Sequence, residues 1–260
     1  MMIGSCNGLV CISPFVDELL VTNPSTREVR KLPMLPFCRG NLCWGFGYDS
    51  ITDDYKVVAG INESEHLMRF QVLSLKSSQW KFVGDGNYLT YNAQGCFPRP
   101  GVLHDGALHW FMYDTKKKKK KKKKKMVILS FDLSLEKFKE IPQPDDTIYL
   151  CDHLNVLGTF QKYLCVFRTY DILTDHCNTW LMKNYNCWQL IPCDDYEGNK
   201  YGAAATVYIL DFIPENTWHL CDDDDKGYVD MLWQRWYHIG TPIFVKSLAS
   251  LGNKRKRKLR

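Results

Sequence analysis

Two pairs of residues are of types that could bind a metal or act as nucleophiles. The members of each pair are five positions apart. They are His104 with His109, and Cys6 with Cys11. On one regular strand an odd separation sends side chains to opposite faces. The eleven cysteines also contain no Cys-x-x-Cys pair, the spacing typical of zinc sites. We therefore predict no metal site.

A glycine-rich segment and an acidic run each resemble a ligand-binding motif in part. Residues 45–50 read Gly-Phe-Gly-Tyr-Asp-Ser, but residues 53–58 then predict a turn and a strand, whereas a dinucleotide site needs a helix N-terminus. Residues 222–227 begin with four aspartates, but Trp233 occupies the twelfth position, where a calcium loop requires glutamate. We predict no cofactor and no calcium, and expect the glycines to allow close packing of neighbouring sheets.

The motifs of nucleophilic and metal-assisted catalysis are absent from the sequence. It contains no Gly-x-Ser-x-Gly elbow and no His-Glu-x-x-His pair, the patterns that place a nucleophile on a strained turn or two histidines on zinc. His176 and Cys177 are adjacent, which on a strand would send them apart. We therefore predict no catalytic residues and no enzymatic activity.

Composition and the pattern of apolar residues favour a folded domain. The chain has 260 residues, of which 45% are hydrophobic and 13% aromatic, enough for one large all-β domain or two ordinary ones. The longest apolar run, residues 203–210, is far shorter than the roughly 20 residues that cross a bilayer, and the first residues lack the regions of a secretory signal. We expect no membrane association, a cytoplasmic and/or nuclear location, and reduced cysteines.

The net charge of +5 arises from two low-complexity segments. Residues 116–125 are ten consecutive lysines and residues 254–260 carry six more positive charges, which leaves a net charge of −11 on the rest. Homopolymeric lysine has no defined geometry, so any nucleic acid would bind it without specificity and with strong salt dependence. We predict an exposed poly-Lys loop at 116–125, a disordered basic tail at 251–260 with nuclear import as one possible role, and no specific nucleic-acid partner.

A repeated hairpin pattern indicates the fold. Residues 23–33 align without gaps on residues 132–142, with apolar residues at the seventh and tenth places and proline at the eleventh. Each segment follows a short apolar run, so each predicts a strand, a polar turn and a second strand. Three looser copies lie within residues 70–83, 179–192 and 207–221, and tryptophan opens the second strand of each.

The residues that open these second strands are expected to be buried between neighbouring sheets. Aromatic and β-branched side chains at such a place can pack on an adjacent sheet. The five residues are Val29, Trp80, Phe138, Trp188 and Trp218.

Two tight turns place the lysine run within the repeat. Asn-Gly at 7–8 and Asp-Gly at 105–106 lie between apolar runs and favour type I′ turns, because both central residues need positive φ. The interval from the first turn to residue 23 nearly equals that from the second turn to residue 132 once the ten lysines are left out. The run is therefore predicted to be an insertion between two strands of one repeat, which a fold tolerates well.

Units of four short strands that recur roughly every 40 to 50 residues are typical of propeller blades. No stretch shows sustained helical periodicity with caps. We predict an all-β, kelch-like β-propeller, either six-bladed or incompletely closed.

Five ordered segments resemble the motifs of the F-box-associated domain, type 1, of plant F-box proteins. They include Ser-Cys-Asn-Gly-Leu-Val-Cys at 5–11, Gly-Ala-Leu-His-Trp at 106–110 and Ile-Leu-Ser-Phe-Asp-Leu at 128–133, together with parts of 23–33 and 46–58. The resemblance covers about residues 4–250 and is most specific up to residue 142.

The resemblance implies a function. In that family an F-box binds the adaptor of an SCF-type ubiquitin ligase, and the associated propeller captures the target protein. We therefore expect residues 1–250 to form a protein-interaction domain that recruits a target for ubiquitination. No leucine-rich helical F-box precedes Gly4, so adaptor binding is expected only through an F-box that is not present in this sequence.

Two functions of other classes remain open. A basic nucleic-acid-associated protein would lose most of its binding at moderate salt, or without its two basic segments. A glycan-binding β-propeller would depend on exposed aromatic side chains in its loops. Scaffold motifs do not encode the identity of a bound target.

Two groups of residues are candidates for contacting a target. Trp233, Arg235 and Tyr237 are of types enriched at binding hot spots and would share one face of a strand. If that face is buried, the cluster closes the last blade against the first, and the interface moves to the loops. Tyr88 and Tyr91, between the second and third repeats, are the loop candidates.

Overall fold

The computed structural model describes ten segments of the chain, which contain strands and no helix. These segments are residues 1–14, 18–35, 42–64, 66–90, 100–116, 125–144, 155–160, 162–169, 177–185 and 187–191. Within them no helix is long and apolar enough to cross a membrane. The predicted all-β class is confirmed.

The strands form four antiparallel sheets in chain order, here called blades 1 to 4. Blade 1 consists of β1 (Met2–Cys6), β2 (Leu9–Ile12), β3 (Leu19–Asn23) and β4 (Glu28–Leu32). Blade 2 consists of β5 (Leu42–Asp49), β6 (Asp54–Ser64), β7 (Leu67–Ser74) and β8 (Gln79–Gly86). Blade 3 consists of β9 (Tyr88–Thr90), β10 (Val102–His104), β11 (Ala107–Asp114), β12 (Lys125–Asp132) and β13 (Lys137–Ile141). Blade 4 consists of β14 (Asn155–Phe160), β15 (Tyr163–Thr169), β16 (Cys177–Asn184) and β17 (Cys187–Ile191).

Successive four-stranded meanders of this kind are the blades of a β-propeller. The number of blades and the closure of the ring remain predictions, because residues 192–260 lie outside the described segments.

Three hydrophobic cores lie between neighbouring blades. They include Phe46 between blades 1 and 2, Phe70 and Phe131 between blades 2 and 3, and Ile128 and Val166 between blades 3 and 4. Side chains of a strand alternate between its two faces, so β12 supplies Phe131 to one core and Ile128 to the next. Each side chain of this size stabilises the fold by about 1.5 to 3 kcal/mol when it is fully buried.

The two predicted type I′ turns are confirmed by their backbone angles. Asn7 and Gly8 have φ of 49° and 77°, and Asp105 and Gly106 have φ of 48° and 71°. Residues of these types adopt positive φ at little cost. The turns therefore fix the register of the β1–β2 and β10–β11 hairpins.

The equivalence of residues 23–33 with residues 132–142 is confirmed at the hairpins. The last strand of each blade is here called its outer strand. Asn23, Ser74 and Asp132 each pair, across a four-residue turn, with the first residue of the outer strand of their blade, which is β4, β8 or β13. In each turn the side-chain oxygen of that residue accepts a hydrogen bond of 2.9 to 3.1 Å from an amide inside the turn, as polar residues at turn starts commonly do. The last residue of each turn has positive φ, at Arg27, Ser78 and Glu136.

Trp80 and Trp188 join the outer strands of their blades to the preceding blade. Both rings are partly buried and pack against inter-blade cores. Each indole Nε1 donates a 2.8 Å hydrogen bond to the carbonyl of a proline that follows the outer strand of the preceding blade, Pro33 or Pro142. The proline at the eleventh place of the repeat therefore lies at a contact between blades.

The other strand-opening residues behave differently from one another. Phe138 is partly buried against Phe70 and Phe131, with ring centroids 4.3 and 4.6 Å away. The prediction is wrong for Val29, which is 63% exposed, because no described blade precedes blade 1 and covers that side of β4. Trp218 lies outside the described residues.

The glycines at residues 45 and 47 allow close packing of blades, as predicted. A Cβ atom on Gly45 would lie 2.8 Å from side-chain atoms of Leu108 and Trp110, and one on Gly47 would lie 2.6 Å from Leu133. Real Cβ atoms essentially never approach other atoms this closely. Strand β5 can therefore lie against blade 3 because these two positions carry no side chain.

His104 and His109 lie on one face of blade 3, so the prediction that they point apart is wrong. A two-residue turn places them on different strands, β10 and β11, and the antiparallel register brings them to the same face. Their ring centroids are 6.1 Å apart. The rule for a single strand does not apply across a hairpin.

The same correction applies to Cys6 and Cys11. Cys6 on β1 lies opposite Leu9, and Cys11 on β2 lies opposite Gly4, which puts both cysteines on one face. Burial raises the pKa of the Cys6 thiol to about 11 and that of Cys11 further, so both are protonated at neutral pH. Among the described residues the free thiols are Cys6, Cys11, Cys43, Cys165 and Cys187.

Acid should destabilise the protein through His109, which is 4% exposed. Its ring nitrogens lie 3.2 Å from Val102 O and 3.1 Å from Ser130 Oγ. Burial lowers the pKa of His109 to about 4, so the unfolded chain binds this proton more readily. The stabilisation from neutral His109 is complete above about pH 6.5 and is lost as the pH falls towards the folded pKa.

Urea unfolding at a series of pH values tests this dependence. The His109→Gln variant should lose less stability than the wild type between pH 6.5 and about 4. His104→Gln serves as the control, because His104 is only partly buried and should change the profile less. An unaltered profile in the His109 variant would contradict the assignment.

Candidate target-binding site

The two ends of the blades carry different kinds of connection. Successive connections of an antiparallel meander lie at opposite ends of the sheet. The end that carries the tight turns of the β1–β2, β3–β4, β5–β6, β7–β8, β10–β11, β12–β13, β14–β15 and β16–β17 hairpins is here called the turn end. The opposite end, the loop end, carries the β2–β3, β6–β7, β11–β12 and β15–β16 connections. There Thr115 Oγ1 donates a 2.9 Å hydrogen bond to His66 O, joining blade 3 to blade 2.

The lysine run interrupts the β11–β12 connection at the loop end. The two strands pair along their whole length, with Asp114 opposite Lys125, which confirms that the run is inserted between two strands of one blade. Lys116 is exposed, as predicted. Lys125 belongs to β12 and therefore lies in the sheet rather than in the loop predicted at 116–125, while residues 117–124 lie outside the described segments.

Deleting residues 117–124 should leave the melting temperature unchanged or raise it. These are eight adjacent lysines, and like charges in a run repel one another and bury no apolar surface. The deletion keeps Lys116 and Lys125, whose contacts join described strands. Thermal unfolding followed by circular dichroism measures the effect, and a clear drop in melting temperature would show that the segment packs on the blades.

Two separate strands of blade 3, β9 and β10, take the place of a single first strand, and both pair with β11. β9 pairs with β11 at Met112–Asp114, and β10 pairs with β11 at Ala107–His109. Residues 91–99, which connect the two strands, lie outside the described segments. Tyr88 is therefore a strand residue, and the prediction that it lies in a loop is wrong.

Tyr88 is part of a polar cluster beside the lysine run. Its side chain is 8% exposed, and its hydroxyl donates a 2.6 Å hydrogen bond to Glu140 Oε1. The same oxygen accepts a 2.5 Å hydrogen bond from Lys116 Nζ, which lies 5.5 Å from the centroid of the Tyr88 ring. Little of the Tyr88 side chain is left for contact with a target.

The cluster is charged and internally satisfied. The Lys116 ammonium, and after it the Tyr88 hydroxyl, hold the pKa of Glu140 below its usual range. Burial and the neighbouring carboxylate together raise the pKa of Tyr88, so the phenol stays protonated and keeps donating. The two hydrogen bonds that Glu140 accepts link β9, β13 and the start of the lysine run. The three side chains therefore position these segments relative to one another at the loop end.

Glu140 was not singled out from the sequence. Its two partners are 24 and 52 residues away along the chain, and the sequence around it is that of an ordinary outer strand. The pairing of β9 with β11 brings the three residues together, and no local signal predicts that pairing.

The other candidate contacts lie outside the described residues. They are Tyr91, Trp233, Arg235 and Tyr237. Their roles, and the closure of the last blade against the first, stay predictions.

Residues 1–193 match the family model for the F-box associated β-propeller domain. This match includes all four described blades, and the chain belongs to that family, as its motifs predicted.

Relatives of the chain are F-box proteins of Arabidopsis thaliana. The F-box protein CPR1 is 32% identical over 206 residues, which cover 70% of this chain and 48% of CPR1. The F-box protein At3g07870 is 30% identical over 217 residues, covering 71% of this chain and 48% of the relative. The F-box/kelch-repeat protein At3g23880 is 26% identical over 148 residues, or 55% and 38% of the two chains. The chain thus spans about half the length of the first two relatives.

Proposed function

We propose that this chain is the target-binding part of a substrate receptor for an SCF-type ubiquitin ligase, acting in the cytoplasm, the nucleus or both. The observation that carries the proposal is the match of residues 1–193 to the F-box associated β-propeller domain, in a chain whose relatives are named F-box proteins. In this arrangement an F-box binds the ligase adaptor, and the propeller holds the protein to be ubiquitinated.

The arrangement of the blades supports a binding role rather than catalysis. Closely packed sheets give a rigid support, and connections on such a support commonly form binding surfaces. The lysine run begins at the loop end, where the ammonium group of Lys116 donates a hydrogen bond to Glu140. We propose the connections between blades and strands as the target site, with Tyr91, Trp233, Arg235 and Tyr237 as candidate contacts.

The half-life of captured proteins in plant cells tests this function. Proteins that co-purify with residues 1–260 would be identified first. Their half-lives would then be measured in cells expressing the same residues fused behind an F-box, with an F-box fused to an unrelated propeller as the matched control. We expect shorter half-lives only with the first fusion, and recovery on proteasome inhibition. Equal half-lives with both fusions would overturn the proposal.

A further inference from the structure

The described residues of blade 4, between 155 and 191, include Lys162, Arg168 and Lys183 and no aspartate or glutamate. Asp171 and Asp175 of the same range lie outside the described residues. The neighbouring outer strand β13 adds Lys137 and Lys139, both exposed.

Three of these lysines lie against tyrosine rings. Lys139 Nζ is 3.4 Å from the centroid of the Tyr185 ring. Lys183 Nζ is 4.2 Å from the centroid of the Tyr163 ring, and Lys162 Nζ is 5.5 Å from the same centroid. Tyr185 belongs to the β16–β17 turn, so the first pair bridges blades 3 and 4. These five residues form the lysine–tyrosine surface.

The three ammonium groups are not neutralised within the described part of the chain. Most other described lysines form ion pairs, including Lys31, Lys56, Lys76, Lys81 and Lys116. The three lysines of the lysine–tyrosine surface form no ion pair with any carboxylate of the described residues, and all three are exposed. A cation over an aromatic face keeps its charge and can still bind an anion on its open side.

The chemistry of this surface favours a carboxylate-rich peptide over a nucleic acid. Single-stranded nucleic acids bind largely by stacking bases on aromatic faces, but here ammonium groups lie over the two rings. A short acidic segment could place its carboxylates beside the lysines without covering the rest of the body.

We propose that the lysine–tyrosine surface docks an acidic segment of the protein that the propeller holds. The inference rests on the proposed function, because it assigns a second contact, at the sides of blades 3 and 4 and towards the turn end, to the same target. Recognition by blade 4 would then be set by clusters of aspartate and glutamate in that target.

Fluorescence anisotropy with a short polyglutamate peptide tests the surface. The triple variant Lys139→Gln, Lys162→Gln, Lys183→Gln should bind the peptide about tenfold more weakly than the wild type, since each exposed contact contributes modestly. The matched control is Lys31→Gln, Lys76→Gln, Lys81→Gln, which removes the same charge from lysines that have carboxylate partners. The control should retain nearly all binding.

Equal losses of peptide affinity in the two triple variants, or no loss in either, would overturn the proposal. The affinity would then depend on the net charge of the protein or on the lysine run. A single-stranded oligonucleotide that displaces the peptide and shows the same dependence on the three lysines would also overturn it, in favour of nucleic acid. Retained target degradation by an F-box fusion of the weakened triple variant would reject this surface while leaving the receptor function standing.

Discussion

Replacing Lys56 with alanine is expected to lower the free energy of unfolding by about 3 to 5 kcal/mol, the usual cost of removing one partner of a buried ion pair. Lys56 is 5% exposed and Asp49 is 1% exposed. Lys56 Nζ lies 3.0 Å from Asp49 Oδ2 and 3.0 Å from Glu136 Oε1, and it donates a 2.6 Å hydrogen bond to Leu133 O. The variant would leave the Asp49 carboxylate buried without its cation and would remove the contacts of Lys56 with the β12–β13 turn of blade 3.

Lys76→Ala is the matched control for this prediction, because it removes a lysine of the same blade from an exposed pair. Lys76 Nζ lies 3.6 Å from Asp53 Oδ2, with side chains 56% and 79% exposed, so its loss should cost less than about 1 kcal/mol. Guanidinium unfolding of both variants gives the comparison. Similar small losses in the two variants would contradict the role of Lys56 as a link between blades.

The cost of removing Lys56 should also shrink in acid. Burial raises the pKa of Asp49, but hydrogen bonds from Ser134, Thr52 and Lys56 together lower the pKa by more than burial raises it. The pKa of Asp49 is therefore lower than usual. The stability that ionised Asp49 contributes is therefore complete above the ordinary carboxyl pKa of about 4 and is lost as the pH falls. Without Lys56 the carboxyl can protonate at higher pH, which relieves the buried charge.

Replacing Phe138 with alanine is expected to cost about 3 kcal/mol, the lower end of the range for a core phenylalanine. The ring is partly buried and packs against both Phe70 and Phe131. Its loss would open a cavity between blades 2 and 3. Chemical unfolding measures the change.

Val29→Ala is the control for Phe138, since the two residues occupy the same place in their hairpins. Val29 is 63% exposed, so its truncation should change stability by no more than about 0.5 kcal/mol. A loss at Val29 as large as that at Phe138 would mean that an undescribed part of the chain covers β4.

Local turn chemistry accounts for the part of the fold that the sequence predicted correctly. Asn7-Gly8 and Asp105-Gly106 set two hairpins through positive φ, and the polar residues at 23, 74 and 132 accept hydrogen bonds from the amides of their turns. These signals act over a few residues. The repeat and its register could therefore be read directly from the chain.

The errors at Val29 and Tyr88 arise where burial depends on contacts distant in sequence, whereas the error at His104 and His109 arises from the turn that lies between them. Val29 is exposed although its place in the hairpin is that of Trp80, because burial there depends on a preceding blade. Tyr88 is buried because β9 is a separate strand of blade 3 and pairs with β11. His104 and His109 share a face because a hairpin turn separates them.

Ubiquitin transfer in a reconstituted ligase tests the receptor role most directly. Residues 1–260 fused behind an F-box would be assembled with adaptor, cullin and RING subunits and supplied with a purified protein that residues 1–260 capture. We predict ubiquitin conjugation to that protein, and none when the F-box is fused to an unrelated propeller. A captured protein that stays bound but unmodified, in a complex that still forms ubiquitin chains, would contradict the assignment of this propeller as a substrate receptor.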